Sequence, residues 1–334
     1  MNASPHTLRL SAHAKLNLAL SVGPPAPPEG SRGGYHPIAS WFVAIGLFDT
    51  VELARLPDGT PSRYEIRWAG PRDPGPPALR PTPIDWPTEK DLGVRAHRML
   101  EQRAGRELPL RLTLIKRTPV GGGLGGGSSD AAAVLVGVDR LFGLGIARAE
   151  LARLSVSLGS DIGFFLDDPK GEGNLRPAST DDPPLTTAPR PALVTGLGES
   201  ITRVDAPMST DVLLLLPPFG CPTGPVYRAF DAAATAGVDV ARVERLIDAA
   251  RLATRVEPGD LFNDLAEAAC VVQPPLREIL GRLEALSPHR VHVTGSGSTM
   301  FIIPEPTRPV LLAELAAKAE SLVPELVVVP TTTL

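Results

Sequence analysis

Cysteine is almost absent from this 334-residue chain: Cys221 and Cys270 are the two present, in no metal-ligand spacing. That leaves neither a disulfide framework nor a zinc site, and a reducing, cytoplasmic setting is the expectation. Long apolar runs are missing as well. Stretches such as residues 212–216 fall far short of the roughly 20 residues that cross a bilayer, and Lys15 interrupts any signal-peptide reading of the first residues. Positive charge is not in excess either, because 33 Lys and Arg stand against 37 Asp and Glu, a net charge of −4. Neither nucleic acid nor a membrane is therefore an expected partner, while a local basic pocket for a phosphorylated small molecule stays open. Lysine itself is scarce: Lys15, Lys90, Lys116, Lys170 and Lys318 stand among many arginines. A residue type that the composition avoids draws attention to the places where it stands.

What is present is a globular composition, 43% apolar and 21% charged, in a length that suits two domains. With 32 glycines and 37 prolines the chain is loop-rich without reaching the composition of a disordered one. From residue 8 to 22 the polarity alternates, with Leu8, Leu10, Ala12, Ala14, Leu16, Leu18 and Leu20 on one face and Arg9, Ser11, His13, Lys15, Asn17 and Ser21 on the other. This period of two predicts a strand, or a bent pair of strands, with Lys15 and Asn17 as neighbours about 7 Å apart on the polar face. Taken alone, such a face reads as solvated more often than as functional.

Antiparallel strands are predicted over residues 38–56 and at Tyr64, Ile66 and Trp68, then a Pro-rich surface loop over 71–87. Thr88 with Asp91 resembles a capping box that opens a helix, and alternation at Leu108, Leu110, Leu112 and Leu114 predicts a strand. Helices follow over about 130–141 and 147–158. Residues 168–191, rich in Pro, Asp and Thr without an apolar period, read as a mobile insertion. Past a domain boundary near residue 205 come a strand at 212–216 and helices near 225–235, 240–253, 261–272 and 275–286. Strands at 290–294 and 300–303, a helix at 309–321 and a strand at 326–329 complete the chain. The class is mixed α+β, with domains at 1–204 and 205–334.

Chemistry concentrates in the segment from Pro119 to Asp130, where Gly121, Gly122, Gly123, Leu124, Gly125, Gly126 and Gly127 precede Ser128 and Ser129. Between a predicted strand and a predicted helix, such a run lets backbone N–H groups close on an anion beside the positive end of the helix. Lys116, just upstream, offers a cation to phosphates, or stands exposed at a strand end. A Walker A loop is excluded, since Gly127 is followed by serine and not by Lys-Ser/Thr. Gly121, Gly123 and Gly126 satisfy the dinucleotide fingerprint, but the meander of strands before them lacks the βαβ layout that fingerprint needs. His289 and His292, an H-x-x-H on a predicted strand, make a poor zinc site, so no metal-ligand set is assigned.

Three stretches then resemble the motifs of the GHMP small-molecule kinase superfamily, which includes galactokinase, homoserine kinase and mevalonate kinase. They are Ala14-Lys15-Leu16-Asn17, the run from Pro119 to Ala132, and Thr294-Gly-Ser-Gly-Ser-Thr299. Within the superfamily, Gly34-Tyr35-His36, the glycine run and Leu158-Gly-Ser-Asp-Ile-Gly-Phe-Phe165 resemble the kinases of a cytidine diphosphate conjugate of methylerythritol. The resemblance covers most of the chain apart from the insertion and the Pro-rich loops.

The resemblance implies a two-domain α+β GHMP kinase fold, ribosomal protein S5 domain 2-like at the N-terminus and ferredoxin-like at the C-terminus. It implies ATP-dependent phosphorylation of the 2-hydroxyl of 4-diphosphocytidyl-2-C-methyl-D-erythritol, a step of non-mevalonate isoprenoid precursor synthesis, with ATP and Mg²⁺ as cofactors. By the same resemblance Asp161 matches the catalytic aspartate and Lys15 its cationic partner. Asn17, Tyr35 and His36 match substrate-binding positions, the last two at the cytosine, and Thr223 and Tyr227 complete the substrate pocket by spacing. Lys116, Pro119, Gly121 through Gly127, Ser128, Ser129 and Asp130 match the ATP side. The expected oligomeric state is a monomer or weak homodimer. His13, Gly33 and Gly163 stand where the family usually has proline, aspartate and proline, and Asp91 where it has an asparagine associated with the nucleotide base. A GHMP kinase of homoserine or mevalonate type, and a dinucleotide-binding oxidoreductase, are the alternative readings.

Overall fold

The computed structural model describes residues 7–27, 33–73, 75, 79, 83–167, 188–204, 209–233, 237–305 and 310–334. The expected insertion lies outside the described residues up to residue 187, and so do residues 205–208 at the expected boundary. Two compact units form and interleave along the sequence. One takes residues 1–14, 47–119 and 125–189, the other 15–46, 120–124 and 190–334. This division differs from a single break near residue 205, and its cause is strand length: β1 (Thr7–Val22) and β2 (Ile38–Arg55) each run from one unit into the other.

In the first unit the end of β2 pairs antiparallel with β4 (Leu110–Lys116), from Thr50 opposite Ile115 to Arg55 opposite Leu110. On the far side of β4 lies β3 (Arg63–Trp68), which is parallel to it rather than antiparallel. Alternation at Tyr64, Ile66 and Trp68 tells which residues share a face, not which way the strand runs. Direction is set by α1 (Leu92–Ala104), which carries the chain from β3 to β4 as a parallel pair requires. The cap of α1 is Asp91, whose Oδ1 accepts the N–H groups of Gly93 and Val94 at 2.8 and 3.3 Å. Thr88 does not form the expected capping box; it lies in a 3-10 turn (Thr88–Lys90) that has no side-chain cap.

Next comes α2 (Gly126–Phe142), which begins inside the glycine run rather than after it and packs against α1. Its small residues let it lie close to the sheet. The core beneath gathers Leu8, Leu10, Leu53, Leu112, Leu114, Val134, Leu135 and Val138. A Cβ on Gly137 would stand 2.2 Å from Leu53 Cδ1 and 3.1 Å from Leu10 Cδ1, both on buried side chains. Alanine's better helix propensity, about 1 kcal/mol, offsets only part of an overpacking cost of about 1–3 kcal/mol. Gly137→Ala should therefore lower the urea midpoint of unfolding, and an unchanged or raised midpoint would contradict so close an approach. The helices α3 (Arg148–Ser155) and α4 (Ile162–Phe165) follow.

In the second unit the end of β1 pairs with β8 (Phe262–Asn263) in parallel, Ala19 opposite Phe262, and the start of β2 pairs antiparallel with β5 (Ala192–Gly196). Beyond β5 lies β6 (Ser200–Arg203). A separate antiparallel sheet has the order β11 (Val327–Thr332), β7 (Asp211–Leu216), β10 (Met300–Ile302), β9 (His292–Val293). The central β7 and β10 are buried, as a run of leucines and Met-Phe-Ile requires. Against this sheet packs α9 (Leu312–Leu322), which meets β7 and β11, and α8 (Pro274–Leu283) joins α9 to α7 (Ala266–Val272), on which α5 (Thr223–Asp231) packs, while α6 (Val240–Ala253) meets β5. No helix among the described residues is long and apolar enough to cross a membrane.

Candidate active site

The polar face of β1 is not solvated. Lys15 and Asn17 are each 3% exposed, and they are held by one network in the second unit. Lys15 Nζ donates to Asn17 Oδ1 at 2.5 Å and to the carbonyl of Gly123 at 2.9 Å, and stands 4.8 Å from the centre of the Phe42 ring. Asn17 Nδ2 donates to Ser40 Oγ at 2.9 Å, and Ser40 passes the chain on to the carbonyl of Ala19 at 2.6 Å. From the third motif, Thr294 Oγ1 accepts the N–H of Asn17 at 2.9 Å and donates to Asn17 Oδ1 at 3.3 Å. A buried ammonium is costly unless hydrogen bonds replace its water, and here a carboxamide and a carbonyl do so.

The glycine run divides between the units. Residues 120–124 belong to the second, where the carbonyl of Gly122 accepts the N–H of Thr299 at 3.3 Å and that of Gly121 accepts the N–H of Cys221 at 3.2 Å. Gly123, with φ of 77°, leaves no room for a side chain: a Cβ would lie 2.5 Å from the carbonyl oxygen of Thr294. Pro119 and residues 125–130 belong to the first unit. There Gly125, in the left-handed region with φ of 70°, is the N-cap of α2 and supplies no side-chain cap. The first N–H groups of α2 therefore have no acceptor within the helix, the arrangement that suits an anion. Ser128 Oγ lies 3.8 Å from where a Cβ of Gly159 would stand, which brings this end of the run beside the segment leading to Asp161. Ser129 is buried.

Lys116 is not exposed at its strand end. Its Nζ donates to both Asp49 Oδ2 and Asp130 Oδ2 in a buried triad of the first unit. Burial alone would lower the lysine's pKa, but the two carboxylates outweigh it and hold the ammonium above its ordinary range. Burial pushes Asp130 well above the usual carboxylate range, against the pull of Lys116 and with the charge of Asp49 adding to it. Lys116 thus keeps its charge between the two carboxylates.

Asp161 is half-buried just before α4, and its side chain makes no capping bond to that helix. Ser160 Oγ donates to its Oδ1 at 3.2 Å. In the second unit His36 is buried and packs on Tyr227, ring centres 4.7 Å apart, with Phe230 edge-on at 6.2 Å. His36 Nδ1 lies 3.0 Å from the carbonyl of Gly23, and Nε2 lies 3.4 Å from Asp231 Oδ1. Tyr35 is 61% exposed, unlike its neighbour. Thr223 Oγ1 and Ser296 Oγ of the third motif share a hydrogen bond of 3.2 Å.

Ser40, Asp49, Phe230 and Asp231 escape the reading of the sequence. Asp49 alone leaves a signal, a carboxylate within the mostly apolar stretch from Ile38 to Leu56. Burial pushes the His292 imidazole down to about 4, and His289 Nδ1 accepts the N–H of Glu305 at 3.2 Å. Among the described residues no three His, Cys, Asp or Glu side chains gather as a metal site would need.

Residues 91–167 match the family described as GHMP kinases N terminal domain. The 4-diphosphocytidyl-2-C-methyl-D-erythritol kinase of an Anaeromyxobacter species is 35% identical over 88% of this chain and 81% of its own length. That of Salinispora tropica is 34% identical over 96% of this chain and 87% of its own. A crystal structure of a 4-(cytidine 5'-diphospho)-2C-methyl-D-erythritol kinase superposes with a TM-score of 0.65, at 28% identity over 98% of this chain and 99% of that one. The homoserine kinase from Cytophaga hutchinsonii, 13% identical with a TM-score of 0.62 over 100% of this chain and 96% of its own, shares the fold. With three motifs meeting around buried Lys15 and relatives this similar over most of both chains, the protein belongs to the 4-diphosphocytidyl-2-C-methyl-D-erythritol kinase family of GHMP kinases.

Proposed function

We propose that this ATP-dependent small-molecule kinase transfers the γ-phosphoryl group of ATP to the 2-hydroxyl of 4-diphosphocytidyl-2-C-methyl-D-erythritol. One observation carries the reading furthest. Lys15 of the first motif is bound to Gly123 of the second and, through Asn17, to Thr294 of the third, so the three motifs form one buried polar centre. A loose phosphoryl-transfer transition state asks the protein to align the hydroxyl, take its proton and stabilise negative charge on the phosphoryl oxygens. In this reading the hydroxyl proton passes to the carboxylate of Asp161 as the new O–P bond forms and the bond to the ADP oxygen breaks. Lys15 supplies the cation for the reacting phosphoryl group, and the N–H groups at the start of α2 hold the nucleotide phosphates.

Magnesium takes oxygen ligands and keeps much of its shell from waters and phosphates, so a site with few protein ligands suits it. Ser128 and Ser129, at the start of α2, are assigned to the ATP side, and the ion carried with ATP would supply positive charge against the phosphoryl groups. Tyr35, His36 and Tyr227 are assigned to the cytosine, with Thr223 completing the pocket. Their flat faces suit a pyrimidine. A monomer or weak homodimer in the cytoplasm accords with this reading, as do the unpaired thiols of Cys221 and Cys270.

The test is direct. Incubated with Mg-ATP, the protein should release ADP with the cytidine diphosphate conjugate and not with homoserine or mevalonate. Release with either of those, and none with the conjugate, would move the assignment to another GHMP substrate. ATP binding without ADP release under any of the three would mean a silent binding module.

A further inference from the structure

Between Thr118 and Gly126 the chain has few side chains of its own to keep it in shape. Glycine has the largest conformational freedom to lose, so a run of glycines cannot hold its own geometry. Something must fix the two ends, and in the first unit that something is a fully buried carboxylate outside all three motifs. Asp49 Oδ1 accepts the N–H groups of Arg117 and of Thr118, the latter at 2.7 Å, where β4 gives way to the loop. Its other oxygen, Oδ2, accepts from Lys116 Nζ, and the same ammonium holds Asp130 on α2 where the loop ends. Thr118 in turn packs under the first residue of α2, since a Cβ on Gly126 would lie 2.7 Å from Thr118 Cγ2.

We infer that Asp49 is a positioning residue for ATP: by tying Arg117 and Thr118 to Asp130 through Lys116, it sets the spacing of the phosphate loop's two ends. The inference rests on the reading of the glycine run as that loop. Stability of the sheet does not call for this charge. The antiparallel ladder of β2 and β4 already pairs Thr50 with Ile115 and continues through Arg55, and buried ionic groups seldom outdo apolar ones in stability. A carboxylate with two lone pairs per oxygen is, however, what can accept two successive backbone N–H groups and an ammonium together.

Asp49→Asn tests this, because Lys116 keeps Asp130 as its partner and no cation is left uncompensated. Titration with a fluorescent ATP analogue, without any alcohol substrate, should show affinity weakened roughly 10- to 100-fold. In turnover, KM for ATP should rise by a similar factor while KM for the alcohol stays within about twofold. Amide exchange should quicken over residues 117–130 and not in the rest of β2 and β4. Equal nucleotide affinity in variant and wild type, equal rises in both KM values, or faster exchange throughout the unit would each overturn the inference. In the wild-type protein, the amides of Arg117 and Thr118 should exchange as slowly as those of the β2–β4 ladder. Exchange there as fast as at Gly121 would overturn it even if the variant failed to fold. Absence of ATP-analogue binding by the wild type would instead refute the phosphate-loop reading, which keeps the two failures apart.

Discussion

Asp161→Asn should leave the fold and ATP affinity in place and lower kcat by roughly 10²–10⁴-fold, the range of a lost general base. Asparagine keeps the size of the side chain and can still accept from Ser160, whose Oγ reaches Asp161 Oδ1 at 3.2 Å in the present site. What it cannot do is take a proton. The position itself argues for chemistry over architecture, because Asp161 stands at the start of α4 without using its carboxylate as a cap. An aspartate ahead of a helix ordinarily earns its place by capping. Since proton acceptance belongs to the transition state alone, kcat and kcat/KM should fall together with little change in KM. Steady-state rates beside an ATP-analogue titration give both quantities. Turnover near that of the wild type in a folded variant would remove Asp161 from the role.

The local patterns were legible wherever they depended on local physics. Alternation from Leu8 to Val22 is a strand, and it places Lys15 and Asn17 together. Their burial was not legible, because it depends on Ser40, Gly123 and Thr294, the last of them 277 positions from Asn17. That a loop joins strand to helix was visible in the glycines, yet the helix starts at Gly126. Low helix propensity reads as loop, while the first turn of a helix tolerates glycine when a close neighbour such as Thr118 excludes a Cβ. Apolar patterning likewise could not tell that β3 runs parallel to β4, or that Phe262 and Asn263, within a predicted helix, form a strand against Ala19 and Leu20. The expected boundary near residue 205 followed composition along the chain, whereas the compact units follow where β1 and β2 lead.

Gly123→Ala should be the most damaging change within the glycine run, reducing kcat/KM for ATP by roughly 10²-fold or more, the scale of an ångström-sized misplacement at a reacting centre. Two costs act at once. The left-handed backbone, φ of 77°, strains any side chain by about 1–2 kcal/mol. The new methyl would also stand 2.5 Å from the carbonyl oxygen of Thr294 and 3.2 Å from that of Gly297, and neither backbone atom can swing aside as a side-chain tip would. Relief must come from moving the loop, and the carbonyl of Gly123 moves with it. That carbonyl accepts from Lys15 Nζ at 2.9 Å, so the cation shifts too. Gly121 supplies the comparison. Its φ of 71° carries the same strain, but the nearest atom to a Cβ there is Gly220 Cα at 3.9 Å, ordinary contact. Gly121→Ala should accordingly cost kcat/KM for ATP about the strain alone, a factor near tenfold by the 1–2 kcal/mol involved. Measured side by side, the two variants separate backbone strain from steric collision. Equal losses would show that the approach of the second motif to the third does not govern ATP use.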